Sequence, residues 1–276
     1  MSSRTTFNPE EYLYPDDRQM MTRLESVRGL KEMATRFINE ISEPWVSGQL
    51  AGTGVRASER QLPELHKQVY TLAASFGVPM PHVYIVSDSN LNAVTYGTGN
   101  QCFISLTNAL YEQLSPQQLA FVLGHEIGHI HCRHVLYITM ARWFFDDTKS
   151  RSDRNANELL TAIMDWMRTS EISADRAGLV ACGDKDVACK ALVAMVVGSR
   201  NLAEKIDVNE YIAEQALSLQ FNPLALQRQN FESHPYMPFR IGELLEFADG
   251  TAYRQLSEKW RESMSFEEAA IDIKLY

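Results

Sequence analysis

The stretch SPQQLAFVLGHEIGHIH, residues 115–131, carries a helix start in its first four positions. Ser115 stands as N-cap, Pro116 takes the first helical position, and Gln118 sits where a capping box places its reciprocal side chain. Leu119, Val122, Leu123, Ile127, Ile130 and, further on, Val135 then recur at helical spacing. The pattern predicts one amphipathic helix from 116 to about 140.

Upstream, Met20 to Ile41 places apolar residues at 20, 21, 24, 27, 30, 33, 34, 37, 38 and 41, an amphipathic helical pattern. SGQLAGTG at 47–54 reads as a turn-rich break. Residues 61–76 read as another helix, closed by Gly77 and Pro79. HVYIVSD at 82–88, AVTYG from Ala93 and CFISL from Cys102 have strand composition, the last two separated by the Gly-containing TGN. Downstream, the polar FDDTKSRSDRN at 145–155 predicts a surface loop, and a second long helix is expected from about Ala156 to Ala181. Further helices are expected near 185–200, 208–220 and 239–248, the last entered through a Pro-containing turn at 234–238. The tail reads as helical, amphipathic and exposed. The fold expected is α+β, mainly helical, with a small mixed or antiparallel sheet packed on the helix that begins at Pro116.

The chain has 276 residues, 45% hydrophobic and 22% charged, an ordinary globular balance that argues against disorder. Its net charge is −9 and Lys and Arg form no stripe, so no nucleic-acid partner is expected. The start MSSRTTFNPEEYLYPDD lacks the basic and apolar regions of a secretory signal. No stretch supplies the ~18 apolar residues of a membrane span. A cytoplasmic protein without an integral membrane segment is the expectation. Cys102, Cys132, Cys182 and Cys189 form no CxxC pair and read as free thiols.

Inside the capped helix, His125-Glu126-Ile127-Gly128-His129 is an HExxH sequence. Residues four apart on a helix are offset by about 40° and ~6 Å, so both imidazoles face one point and can ligate one Zn²⁺. Glu126 reaches the open coordination position, where it can act as base toward water. A catalytic zinc needs a third protein ligand. Glu171 on the second long helix is the candidate, with Asp175 four residues on, placed to accept the distal N–H of a ligating histidine, His125. The alternative is that Glu171, Asp175 and Arg176 form a solvated helix face. Of the competing ligands, His131 lies about 240° round the helix from His125, and His134 lies over two turns away. Cys132, three residues after His129, would close the site and leave Glu126 without a task.

The chain resembles the HtpX-like zinc endopeptidases, which include the CAAX prenyl proteases, within the gluzincins. The resemblance is carried by NAV at 92–94, ISLTNALYEQLSPQQLAFVLGHEIGHI, EISADRAG at 171–178 and SHPYMPFRI at 233–241, and covers roughly 55–250. It implies a zincin-like metallopeptidase domain at 55–250, flanked by an unassigned N-terminal helical segment, 1–54, and a C-terminal helical tail, 251–276. It implies Glu171 as third ligand beside His125 and His129, Asp175 behind them, and one Zn²⁺ per chain. Asn92 and Ala93 match an edge strand that pairs with an extended polypeptide substrate. His234 and Arg240 match a pair that supports the tetrahedral intermediate; read alone, His234 before Pro235 is more often a loop residue, and Arg240 could be a structural ion-pair partner. Membrane members carry transmembrane helices before the zinc helix and between it and the Glu helix. Here the interval from His129 to Glu171 holds a charged loop and polar helix, which argues against membrane substrates. The activity expected is peptide-bond hydrolysis with Glu126 as general base. The alternative is a catalytically silent zinc- or peptide-binding module.

Overall fold

A computed structural model describes residues 6–98, 101–147, 154–229, 232 and 234–261. The chain opens with α1 (Pro15–Ser26), α2 (Leu30–Phe37) and α3 (Glu43–Thr53), with a π turn at Ile38–Ser42. Next come β1 (Gly54–Arg56), α4 (Pro63–Phe76), β2 (His82–Val86), β3 (Ala93–Gly97) and β4 (Cys102–Thr107). The remainder is helical: α5 (Asn108–Gln113), α6 (Pro116–His131), α7 (Val135–Asp147), α8 (Arg154–Cys182), α9 (Lys185–Val197), α10 (Arg200–Ala203), α11 (Val208–Gln220), α12 (Pro223–Gln229) and α13 (Met237–Asp249). The architecture is α+β and mainly helical, with one small mixed sheet.

The sheet runs in the order β1-β2-β4-β3. β2 and β4 are parallel, and β1 and β3 pair antiparallel outside them. β3 is therefore an edge strand. One sheet face joins α4 and α6 in the main core, around Val69, Phe76, Ile104, Leu106, Leu123 and Ile127. The other face is covered by α3, through Val46 and Leu50 against Tyr84 and Phe103. A second cluster locks the N-terminal helices to α7 and α8, with Leu24, Leu30 and Ile38 packed among Tyr137, Met140, Ile163 and Trp166.

α6 lies along α8 at close range because both contact surfaces are made of small residues. A Cβ added at Gly124 would come within 2.3 Å of the Ala181 Cβ, one at Gly128 within 2.6 Å of the Ala177 Cβ, and one at Gly178 within 2.7 Å of the Phe121 carbonyl oxygen. His125 and His129 flank this glycine stripe, and Glu171 and Asp175 flank the alanines that meet it. The backbone approach brings the four side chains together.

The helix expected over 116–140 is two helices. Cys132 caps α6, Arg133 adopts φ 64°, and the N–H groups of Arg133 and His134 return to the carbonyls of Ile130 and His129 at 3.1 and 2.9 Å. This is a Schellman stop, in which the left-handed position is usually glycine. Here it is arginine, so the stop is silent in the sequence. The helix expected over Met20–Ile41 is likewise broken, between Ser26 and Leu30, with Gly29 at φ 77°. The expected break at 47–54 is a helix as far as Thr53, because Gly48 and Gly52 are tolerated within α3 and packing of Val46 and Leu50 outweighs their low propensity. β1 follows and was not anticipated. α9 ends at Gly198, φ 67°, so the helix expected to 200 is divided there. α7 and α8 take both ends of the loop expected at 145–155, and residues 148–153 lie outside those described. The tail was expected to be exposed. Residues 251–261 are helical, but Leu256 and Trp260 are buried in the main core, and 262–276 lie outside the described residues.

Candidate metal centre

α6 carries His125, Glu126 and His129, and its capping box is formed as read: Ser115 accepts from the Gln118 N–H, and the Gln118 side chain accepts from the Ser115 N–H. His125 Nε2 and His129 Nε2 face each other at 3.1 Å. Glu171 Oε2 lies 3.5 Å from His125 Nε2, and Glu171 Oε1 lies 3.4 Å from His129 Nε2. A tetrahedral ion at about 2.0–2.1 Å from each donor needs donor separations of about 3.3 Å. These three residues form a group able to hold a metal ion among the described residues. Glu171 is 3% exposed, and its Oε2 makes no hydrogen bond, although the Arg240 guanidinium faces it at 3.3 Å. The donor set therefore fits a divalent ion, and two imidazoles with one carboxylate suit Zn²⁺.

The donors are held from behind. His125 Nδ1 lies 2.9 Å from Asp175 Oδ1. Arg240, on α13, donates from Nε to Asp175 Oδ2 at 2.8 Å and from Nη2 to Asp175 Oδ1 at 2.7 Å. The same Nη2 lies 3.3 Å from Glu171 Oε2. Burial opposes the charge on Glu171, but His234, Arg240 and the His129 bond outweigh it and hold the carboxyl well below its usual range. Burial lowers His129 to about 3, against the pull of Glu171, so its ring is neutral as a ligand must be.

Glu126 is buried beside the donors. Burial raises its pKa, with the neighbouring His125 and a hydrogen bond from Thr95 opposing. Thr95 Oγ1 donates to Glu126 Oε2 at 2.5 Å. Thr95 lies on β3 and was not singled out in the sequence, where nothing distinguishes it from any strand threonine. His234 is 48% exposed at the rim, its Nε2 3.5 Å from Glu171 Oε1.

The donors line a cleft of about 270 Å³ whose walls include Asn92, Ala93, Phe121, Val122, Leu192 and Met195. Asn92 is exposed there, its N–H bonded to Thr107 Oγ1 at 3.2 Å. Further along β3, two outward backbone groups are taken by α7. Arg142 Nη1 donates to the Thr95 carbonyl at 3.2 Å, and the Gly97 N–H donates to Thr139 Oγ1 at 3.2 Å. Alternation along the strand turns the backbone groups of Ala93 to the same outer edge.

The competing donors lie elsewhere. His131 Nδ1 bonds the Tyr12 hydroxyl at 2.6 Å, and burial lowers its pKa to about 4. Cys132 Sγ lies 3.6 Å from the same hydroxyl, and burial pushes its thiol pKa up. His134 sits behind His129, with Nδ1 atoms 3.1 Å apart. None of the four cysteines is in a disulfide.

The fold thus sets an edge strand beside a His-His-Glu group and a buried glutamate. Residues 59–248 match the profile of peptidase family M48, and the chain belongs to that family. Plastoglobule-localized metallopeptidase 48, chloroplastic, of Arabidopsis thaliana is 26% identical over 261 residues, covering 91% of this chain and 76% of its own length. The Protease HtpX homolog of Bifidobacterium longum (strain NCC 2705) is 26% identical over 240 residues, covering 74% of this chain and 78% of its own. Among solved structures, S. mikatae Ste24p aligns with a TM-score of 0.44 at 16% identity, over 83% of this chain and 60% of that one. Among the described residues, no helix is long and apolar enough to cross a membrane.

Proposed function

We propose that this chain is a zinc-dependent endopeptidase. The observation that carries the reading is the convergence of His125 Nε2, His129 Nε2 and the Glu171 carboxylate, 3.1–3.5 Å apart, next to buried Glu126. His125, His129 and Glu171 hold one Zn²⁺ per chain, with Asp175 fixing the His125 ring. Bound there, Zn²⁺ supplies a Lewis acid that polarises the scissile carbonyl and lowers the pKa of water to about 7. Glu126 takes the proton of the attacking water and returns it to the leaving amine. The hydrogen bond from Thr95 fixes the direction of its carboxylate. His234, at the rim, donates to the developing oxyanion. Arg240 contributes by holding Asp175 and Glu171 in place, since its Nε and Nη2 are committed to them.

The substrate is an extended polypeptide that pairs with β3 through the outward backbone groups of Ala93; the Asn92 N–H and carbonyl are bonded to Thr107, which leaves that residue only its side chain to offer. The groups already taken by Arg142 and Thr139 confine that pairing to the start of the strand. Phe121, Val122, Leu192 and Met195 favour an apolar side chain in the cleft. Zinc analysis joined to a peptide-library assay, with and without chelator, tests the reading. Cleavage that chelator abolishes and zinc restores is expected. Bound zinc with no cleavage of any peptide would favour a silent binding module.

A further inference from the structure

His129 presents Nε2 to the donor group and turns its other nitrogen inward, where Nδ1 lies 3.1 Å from His134 Nδ1. His134 is 1% exposed. Its Nε2 lies 3.0 Å from Asp17 Oδ2, near enough for a hydrogen bond but not well aligned for one. Asp17, on α1, is also 1% exposed. Asp17 Oδ1 accepts from Trp166 Nε1 at 2.8 Å, and Oδ2 accepts from Ser173 Oγ at 2.5 Å. Ser173 in turn accepts the Tyr14 N–H at 3.0 Å, which ties the start of α1 to α8 midway between Glu171 and Asp175.

One arrangement of protons satisfies this chain of groups. If the Nε2 lone pair of His129 faces a cation, its proton sits on Nδ1 and is donated to His134 Nδ1. His134 then carries its own proton on Nε2, the atom that faces the Asp17 carboxylate. We propose that Asp17 and His134 are positioning residues of the metal centre, which fix the His129 ring, so that the N-terminal helix α1 is part of that centre. The inference rests on the reading of His125, His129 and Glu171 as metal ligands. It extends the site beyond the family match at 59–248, in which Asp17 has no place. The two ligating histidines then end on buried carboxylates in different ways. His125 meets Asp175 directly, and His129 reaches Asp17 through one intervening imidazole. Such outer partners set ring orientation and ligand basicity. The Schellman stop at Arg133 makes the second route available, because it folds His134 back against the end of α6.

The rival account is that Asp17 anchors α1 and has no bearing on the metal. Zn²⁺ affinity, measured by competition with a chromophoric chelator, separates the two when read beside the thermal midpoint of the zinc-free proteins. Asp17→Asn and His134→Phe should each weaken Zn²⁺ binding ~10–100-fold. The double variant should lose no more than the worse single one, because both act through the same ring. Leu24→Ala loosens the packing of α1 without touching the chain of groups, and should lower the thermal midpoint while leaving Zn²⁺ affinity unchanged. The zinc-loaded wild type should also show a hydrogen-bonded ring N–H of His129 by proton–nitrogen NMR that His134→Phe removes. Unchanged affinity in Asp17→Asn and His134→Phe, or an equal loss in Leu24→Ala, overturns the inference alone. Absence of Zn²⁺ binding by the wild-type chain overturns the ligand reading and the inference with it.

Discussion

Each side chain around the donor group is fixed by a partner, and the partners differ in how visible they are in the sequence. The HExxH spacing places His125, Glu126 and His129 on one helix, and helical geometry alone brings the two imidazoles together. Glu171 and Asp175 are four apart on a second helix, so they share a face, and resemblance in motif order singles them out. Thr95, Asp17 and His134 are different. Thr95 meets Glu126, and Asp17 meets His134, across long stretches of chain, and His134 folds back on His129 only through the turn at Arg133, so no local pattern announces these roles. For Arg240 the sequence leaves two readings, support of the reacting oxygen or an ion pair, and its contacts are with Asp175 and Glu171. His234 gives the cleanest prediction at this scale. His234→Ala should slow peptide turnover ~10²–10³-fold, the usual effect of one lost oxyanion donor, with metal content unchanged after dialysis. Loss of the metal instead would make His234 a ligand.

Among the elements, the contact of α6 with α8 sets the geometry, and it depends on glycine. Gly128→Ala puts a methyl within 2.6 Å of the Ala177 Cβ, and both neighbours are helix-bound and unable to swing aside. Overpacking of this kind costs about 1–3 kcal/mol, to be read as a lower denaturant midpoint with an unchanged slope. Because the same shift parts His129 from Glu171, metal affinity should fall with it. β3 is tested by Ala93→Pro. The Ala93 N–H faces away from β4, so proline should leave the sheet intact and weaken peptide binding, raising KM. An unchanged KM and turnover would exclude pairing at that position. Element identity was legible where periodicity and caps were strong, as in α4, α6 and α8. Boundaries failed where the signal was a residue type that does not advertise its backbone, such as Arg133 in a left-handed turn. They failed too where tertiary packing carried glycines into a helix, as in α3.

At the scale of the whole molecule, the donor group joins α6 and α8, and its hydrogen-bonded supports reach α13 and back to α1. Metal bound only by the native state stabilises all of them by mass action, by about 4 kcal/mol at a thousandfold excess over Kd. Chelation should therefore lower the thermal midpoint by roughly 10 °C for a chain of this size. No change would mean that the metal does not bridge the helices. The small mixed sheet and helical majority were legible from strand composition and helical periodicity. The docking of α1 and α2 on α7 and α8 was not, because exposed and buried apolar faces look alike in one sequence. The central claim is that Glu171 holds the metal and Glu126 moves a proton. It is tested most directly by zinc content after dialysis, measured beside peptide cleavage rate, for Glu126→Gln and Glu171→Ala. Glu126→Gln should retain about one zinc per chain and lose ~10²–10⁴ in rate, whereas Glu171→Ala should lose both metal and activity. Full activity in Glu126→Gln, or normal zinc retention in Glu171→Ala, would contradict it.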